Sequence, residues 1–287
     1  MKIKQILVPL TGETKALHVV DLAFQIARES GAHVIGTDTV SDPGPFLDQT
    51  GAGMTAGYYS EVYKTIEKAQ AEKRKHAFAA FDASRKTNGI ALADKPGSAI
   101  GVTAEWLPGE GYNGNAVSAV GRLCDLIVIN LPGEKSTLAD RQLFEMAAFN
   151  TRRPVLLVPP GCTELGSRAA IAWNGSAEAC AAVEGALPLL TGLDGVDIIQ
   201  VGRLKPGKLE AVMLQNYLGW HRIATRVVEV PDAGGSTAKI IHDQAKASQA
   251  TFLVMGAYTH SPLRELILGG VTQSLSATSE LPLVMAH

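Results

Sequence analysis

The sequence predicts an α/β fold built twice: two tandem doubly wound domains, each a parallel sheet of five strands with helices on both faces. Two observations carry this. Short β-rich runs alternate with longer segments of helical period, and the alternation recurs element by element in the second half. The boundary falls at PPGCTELGSR, 159–168, where proline and glycine break the pattern between one half's last strand and the next half's first. Residues 1–160 and 167–287 therefore read as two domains.

The first half opens with QILVPLTGE and the second with AAIAWNGSA (169–177), each a β-rich run ending in a small-residue turn. ALHVVDLAFQIARESG then places apolar residues at 17, 19, 20, 22, 23, 26 and 27, a helical period matched by EACAAVEGALPLLTG at 178–192. The strands AHVIGTDTV and VDIIQVGRL follow. Long amphipathic helices come next, in SEVYKTIEKAQAEKRKHAFAAFDASRKTNG and GKLEAVMLQNYLGWHRIATR, and then the strands VTAEWLP and TRVVEVP. The correspondence continues through NAVSAVGRLC against STAKIIHDQAKASQ, DLIVINL against TFLVMGA, and RRPVLLVPP against ELPLVMAH. The first half is longer mainly through SDPGPFLDQTGAGMTAGYYSE, 41–61, which reads as a solvated surface loop, with a cover over a ligand crevice as the alternative. Right-handed crossovers make the strands of each half parallel. Duplicated units that reproduce a homodimer's two-fold contact would then pack as two separate sheets, an internal pseudo-dimer.

Composition narrows the function. With 287 residues and 46% apolar content, the chain can bury a sizeable core. Its 26 basic and 28 acidic residues, a formal charge of −2, give no electrostatic case for nucleic acid or an anionic membrane as partner. No apolar run reaches the ~18 residues of a transmembrane helix, and MKIKQILVPL leads straight into a strand, so a cytoplasmic location is expected. Cys124, Cys162 and Cys180 are odd in number and lack metal-ligand spacing, which favours reduced, mostly buried thiols. The one basic run, 64–86, interleaves Glu67 and Glu72 and keeps a helical period, as the solvated face of a long helix does.

The most informative stretch is MGAYTHSPLRELILGGVTQSL, 255–275, in which Gly256, Thr259, Gly269 and Gly270 are spaced G-x2-T-x9-G-G. With the duplicated unit, this stretch resembles the G-x2-G-x9-G-(S/T) signature of nucleotide-binding universal stress proteins. The chain is similar to a tandem member of that family, with two adenine nucleotide alpha hydrolase-like domains. The resemblance implies ATP, with or without Mg, at the carboxyl ends of the second half's strands, a regulatory role with little or no catalysis, and leaves a further homodimer open. As nucleotide-binding residues it implies Asn174 and Gly175 after the first strand, and Val201 and Met255 at neighbouring strand ends. In the loop it implies Gly256, Thr259, His260, Gly269, Gly270, Val271 and Thr272.

Physical chemistry says what the departures cost. The ligand crevice of an open parallel sheet lies beyond the carboxyl ends of its strands, here AWNGS, IIQVG and LVMGA. Gly269-Gly270 precedes VTQSLSAT, a helix start with Thr272 as cap, whose free N–H groups would face an anion. Thr259 is the more damaging change. A β-branched residue tolerates positive φ badly and adds bulk where phosphates approach, so the triphosphate tail shifts or is excluded. Asn174 has two roles that can hold together, a turn residue of Asn-Gly and a replacement for one contact of the family's aspartate. His260 could pair with a phosphate when protonated, or be an idle loop residue.

The corresponding loop of the first half, NLPGEKSTLADRQLFEM, is shorter: Asn130 to Pro154 spans two residues fewer than Gly256 to Pro282. It lacks a glycine pair, and Glu134 and Asp140 would repel phosphate, so it reads as a solvated turn. The chain contains no G-x4-GK(S/T) loop and no G-x-S-x-G elbow at a strand end. Two functions remain: a nucleotide-binding stress protein with its site in the C-terminal half, or an interaction module whose crevice holds another small ligand or none.

Overall fold

A computed structural model describes residues 2–13, 16–40, 55–97, 101–112, 115–133, 136–204, 206–232, 236–256 and 281–287. Its strands are β1 (Gln5–Leu10), β2 (His33–Asp38), β3 (Ala91–Leu92), β4 (Thr103–Leu107), β5 (Leu126–Asn130), β6 (Val155–Val158), β7 (Arg168–Ala172), β8 (Gly195–Val201), β9 (Thr225–Val230), β10 (Phe252–Gly256) and β11 (Leu283–Ala286). The helices are α1 (Leu17–Ser30), α2 (Ala56–Thr87), α3 (Ala116–Val120), α4 (Leu138–Asn150), α5 (Ala177–Leu190), α6 (Ala211–Trp220) and α7 (Thr237–Ala247).

The strand order is β3-β4-β2-β1-β5-β6-β11-β10-β7-β8-β9. Each half is parallel throughout and runs through its main strands in the same order, third, second, first, fourth, fifth, from its outer edge inward. The expected pair of separate sheets is overturned. β6 and β11 pair antiparallel, with Leu157 opposite Leu283, Leu156 opposite Val284 and Val155 opposite Met285, so the halves share one eleven-stranded sheet. The reason lies in the two strands themselves. VLLV and LVMA are apolar and fully buried, and either one left as an edge would expose a row of unpaired backbone groups.

Helices cover both faces. α1, α2, α5 and α6 pack on one apolar layer that runs through both halves, and α3, α4 and α7 pack on the other. Gly36 shows how tight the first layer is, since a Cβ there would lie 2.5 Å from the Phe81 ring of α2. Cys124 is buried, and burial with the neighbouring Asp125 pushes its thiol up to about 12, which keeps it protonated and inert.

Three local expectations change. α2 begins at Ala56, inside the stretch read as a loop, because Thr55 accepts a hydrogen bond from the Tyr58 N–H at 3.4 Å and caps it; residues 41–54 lie outside the described residues. From Leu138 the presumed turn of the first half is helix α4, nucleated by a capping box between Thr137 and Asp140. α6 is shorter than its apolar period suggests, because Arg222 takes a left-handed conformation (φ 60°) and closes it.

Candidate functional site

The carboxyl ends of β7 and β10 meet the start of α5, and that of β8 meets the start of α6. After β7 the chain turns through Asn174-Gly175-Ser176, with the Asn174 Oδ1 accepting the Ser176 N–H at 3.1 Å. Ser176 in turn caps α5 by accepting the Ala179 N–H at 3.2 Å. Asn174 is exposed, and its turn role is filled by Oδ1. Gly175 has φ of 65°, and a Cβ there would meet the Leu209 carbonyl oxygen at 2.5 Å, so both conformation and space require glycine.

Gly256, the last residue of β10, is equally constrained. A Cβ on it would lie 2.7 Å from the Ala179 nitrogen and 2.8 Å from the Glu178 carbonyl carbon. The signature loop therefore departs from a point pressed against the first turn of α5, where backbone N–H groups and the helix dipole favour an anion.

Lys208 and Leu209 roof this region. The Trp173 indole N–H donates to the Leu209 carbonyl at 2.8 Å, and the Ala211 N–H donates to the Gln200 Oε1 at 3.3 Å, which ties the start of α6 to β8. Lys208 sits beside the turn, its Cβ 3.0 Å from where a Gly175 Cβ would be. Burial raises the Cys180 thiol, with Glu178 adding to it and a backbone hydrogen bond and the Lys208 charge opposing it. Lys208 and the exposed Arg203 were missed in the sequence; the signal was the basic cluster of GRLKPGK, absorbed there into a strand end and a helix start.

Val201 is half-buried at the end of β8, and Met255 is 3% exposed within the core layer of α3, α4 and α7. Thr259, His260, Gly269, Gly270, Val271 and Thr272 lie outside the described residues, as do Arg264 and Glu265. Among the described residues no group of His, Cys, Asp or Glu could hold a metal ion, and no helix is long and apolar enough to cross a membrane.

The first half treats the same place differently. Asp140 is buried at the start of α4, accepting hydrogen bonds from the Thr137 N–H and Oγ1, both at 3.1 Å, and from Thr11 Oγ1 at 3.1 Å. It does not repel from a solvated turn, as expected from the sequence; it fills the helix N-terminus with its own carboxylate. The space left among Pro9, Thr11, Asn130 and Asp140 is about 10 Å³, room for a single water. α2 closes the mouth, since a Cβ on Gly12 would strike the Lys73 carbonyl and Lys73 pairs with Glu13, holding that carboxyl below its ordinary value.

Residues 175–287 match the Universal stress protein family. The match lies within the C-terminal half. The first half repeats its strand order, as a tandem arrangement requires. A universal stress protein from Archaeoglobus fulgidus DSM 4304 is 16% identical with a TM-score of 0.60, over 99% of this chain and 96% of its own. A putative universal stress protein from Pseudomonas aeruginosa UCBPP-PA14 is 14% identical over 99% of this chain and 93% of its own, with a TM-score of 0.49. Another universal stress protein, solved in complex with cAMP, is 20% identical over 55% of this chain and 98% of its own, with a TM-score of 0.27. No curated protein matches the chain.

Proposed function

We propose that the C-terminal universal stress domain binds an adenine nucleotide, ATP in the first place, and that occupancy changes shape or partner choice rather than driving catalysis. The observation that carries this reading is the contrast between the two helix starts. α4 presents its N-terminus to a buried carboxylate of its own, whereas the first turn of α5 faces Gly256, and the Lys208 Cβ lies beside the Gly175 turn that leads into it. The N–H groups at the start of α5 and the Lys208 ammonium are suited to phosphate oxygens, and the Asn174 amide to the nucleoside. Any Mg would be shared with the phosphates.

The test is calorimetric titration of the full chain with ATP, ADP and cAMP. Thr259→Gly should tighten ATP binding by restoring the second glycine of the signature. Gly269→Asp should abolish it, since a like-charge clash at ~4 Å costs on the order of 4 kcal/mol near a protein surface, about three decades of affinity. Indifference to both changes would leave the crevice without a phosphate function. A second reading has one observation in its favour. The Trp173 indole is buried and bonded to the Leu209 carbonyl, which suits a crevice that takes a smaller ligand or none; failure of all three nucleotides to bind would favour it.

A further inference from the structure

Three Asn-Gly pairs occur in the chain, at 88–89, 113–114 and 174–175, and the second lies outside the described residues. Asparagine before glycine carries its own electrophile and nucleophile, a side-chain amide and the backbone nitrogen of a residue that has no Cβ to obstruct the approach. The fold treats the other two pairs in opposite ways. Asn88 is held: its amide nitrogen donates to the Asp21 Oδ1 at 3.0 Å and to the Ser84 carbonyl at 2.9 Å, while the Gly89 N–H donates to the Lys86 carbonyl at 3.0 Å. Leaving group and nucleophile are both engaged. Asn174 is exposed, and among the described residues neither its amide nitrogen nor the Gly175 N–H has a hydrogen-bond partner. The bond that its side chain does make, from the Ser176 N–H to Oδ1 at 3.1 Å, folds the side chain back over the Gly175 peptide. That N–H also stands where it stabilises negative charge developing on Oδ1, at the positive end of α5.

We propose that Asn174-Gly175 is a site of spontaneous deamidation, which converts residue 174 to aspartate or isoaspartate at the edge of the C-terminal crevice. The Gly175 nitrogen attacks the Asn174 Cγ. The N–Cγ bond forms, the Cγ–Nδ2 bond breaks, and Nδ2 leaves as ammonia with the proton that Gly175 gives up. Water then opens the cyclic imide, its hydroxyl going to the carbonyl carbon attacked and its proton to the ring nitrogen. Opening at Cγ yields aspartate, and opening at the main-chain carbonyl yields isoaspartate. Aspartate keeps an oxygen for the Ser176 N–H and places its charge before α5, where the helix dipole favours it. Isoaspartate adds a backbone atom to a turn without room for one, since even a Cβ on Gly175 would meet the Leu209 carbonyl oxygen at 2.5 Å. Either product exchanges an amide that donates and accepts for a carboxylate that only accepts, a one-way change in what the crevice recognises.

The test holds the full chain folded at mildly alkaline pH beside a sample unfolded in guanidinium chloride, where both pairs lose their tertiary partners and set reference rates. Peptide mass mapping reads the gain of one mass unit at each asparagine, and an isoaspartyl-specific methyltransferase labels the rearranged product. Relative to those references, Asn174 of the folded chain should convert at least ~10-fold faster than Asn88, because several hydrogen bonds must break before Asn88 can react. Asn174→Asp retains the bond to Ser176, so it should fold with an unchanged Tm and elute on anion exchange with the aspartyl product of the wild type. The proposal is overturned if Asn174 of the folded chain converts no faster than Asn88. It is equally overturned if the mass gain of the folded chain maps to other residues while Asn174 keeps its amide.

Discussion

Gly256 and Gly175 are glycines for different reasons, and the difference is measurable. Gly256 needs no unusual φ; what excludes a side chain is the backbone of Ala179 and Glu178, 2.7 and 2.8 Å from a Cβ. Gly256→Ala should therefore lower stability by about 1–3 kcal/mol, as overpacking against a part that cannot rotate away does, and weaken nucleotide binding by pushing the end of β10 away from α5. Urea denaturation and ATP titration of the same variant read the two effects. Asp197 bears on pH. Burial acts to raise its carboxyl, but the Arg226 guanidinium, 3.2 Å away at Nε, and Ser248 outweigh that and hold it below its ordinary value. A carboxylate depressed in the folded state stabilises above its unfolded pKa and loses that contribution as pH falls through the folded one. Acid denaturation of Asp197→Asn should accordingly be shallower below about pH 4 than that of the wild type, and an unchanged acid limb would remove Asp197 from the account.

At the scale of elements, what the sequence disclosed was what local periodicity encodes. β1, α1, β2, β4, β5, β6 and the strands of the second half stand where their apolar patterns put them. What it hid was decided by side chains acting across space. The capping box of Thr137 and Asp140 turns a polar loop into α4 and converts a presumed repulsive surface charge into a buried helix cap. The roof over the site depends on Trp173 and Gln200 reaching segments 36 and 11 residues away, for which no period exists. The two glycines were recognisable as signature or turn residues. Their steric causes, the α5 backbone and Leu209, are tertiary and left no mark in the local pattern. β3, two residues long, is too short to carry a pattern at all.

Across the whole molecule, the β6–β11 joint and the apolar layer shared by α1 and α5 make the halves structurally interdependent. An expectation drawn from the duplicated sequence is that a chain lacking residues 1–160 keeps its nucleotide affinity. The sheet adds a condition to it. Removing the first half deletes β6 and opens β11, a strand of four buried apolar residues whose backbone groups would lose their antiparallel partners. The cheapest replacement is an identical strand, because β11 can pair antiparallel with its own copy in the manner of β6. Residues 161–287 alone should therefore be obligate dimers that bind two nucleotides per dimer. Val284→Lys, which sets a charge at the centre of that joint, should make the fragment insoluble or unfolded, and in the full chain it should lower stability by several kcal/mol through the buried, unpaired charge. Light scattering and denaturation of the fragment decide the matter: a soluble, folded monomer with β11 exposed would mean that the two halves are joined by convenience of linkage and not by the physics of the shared sheet.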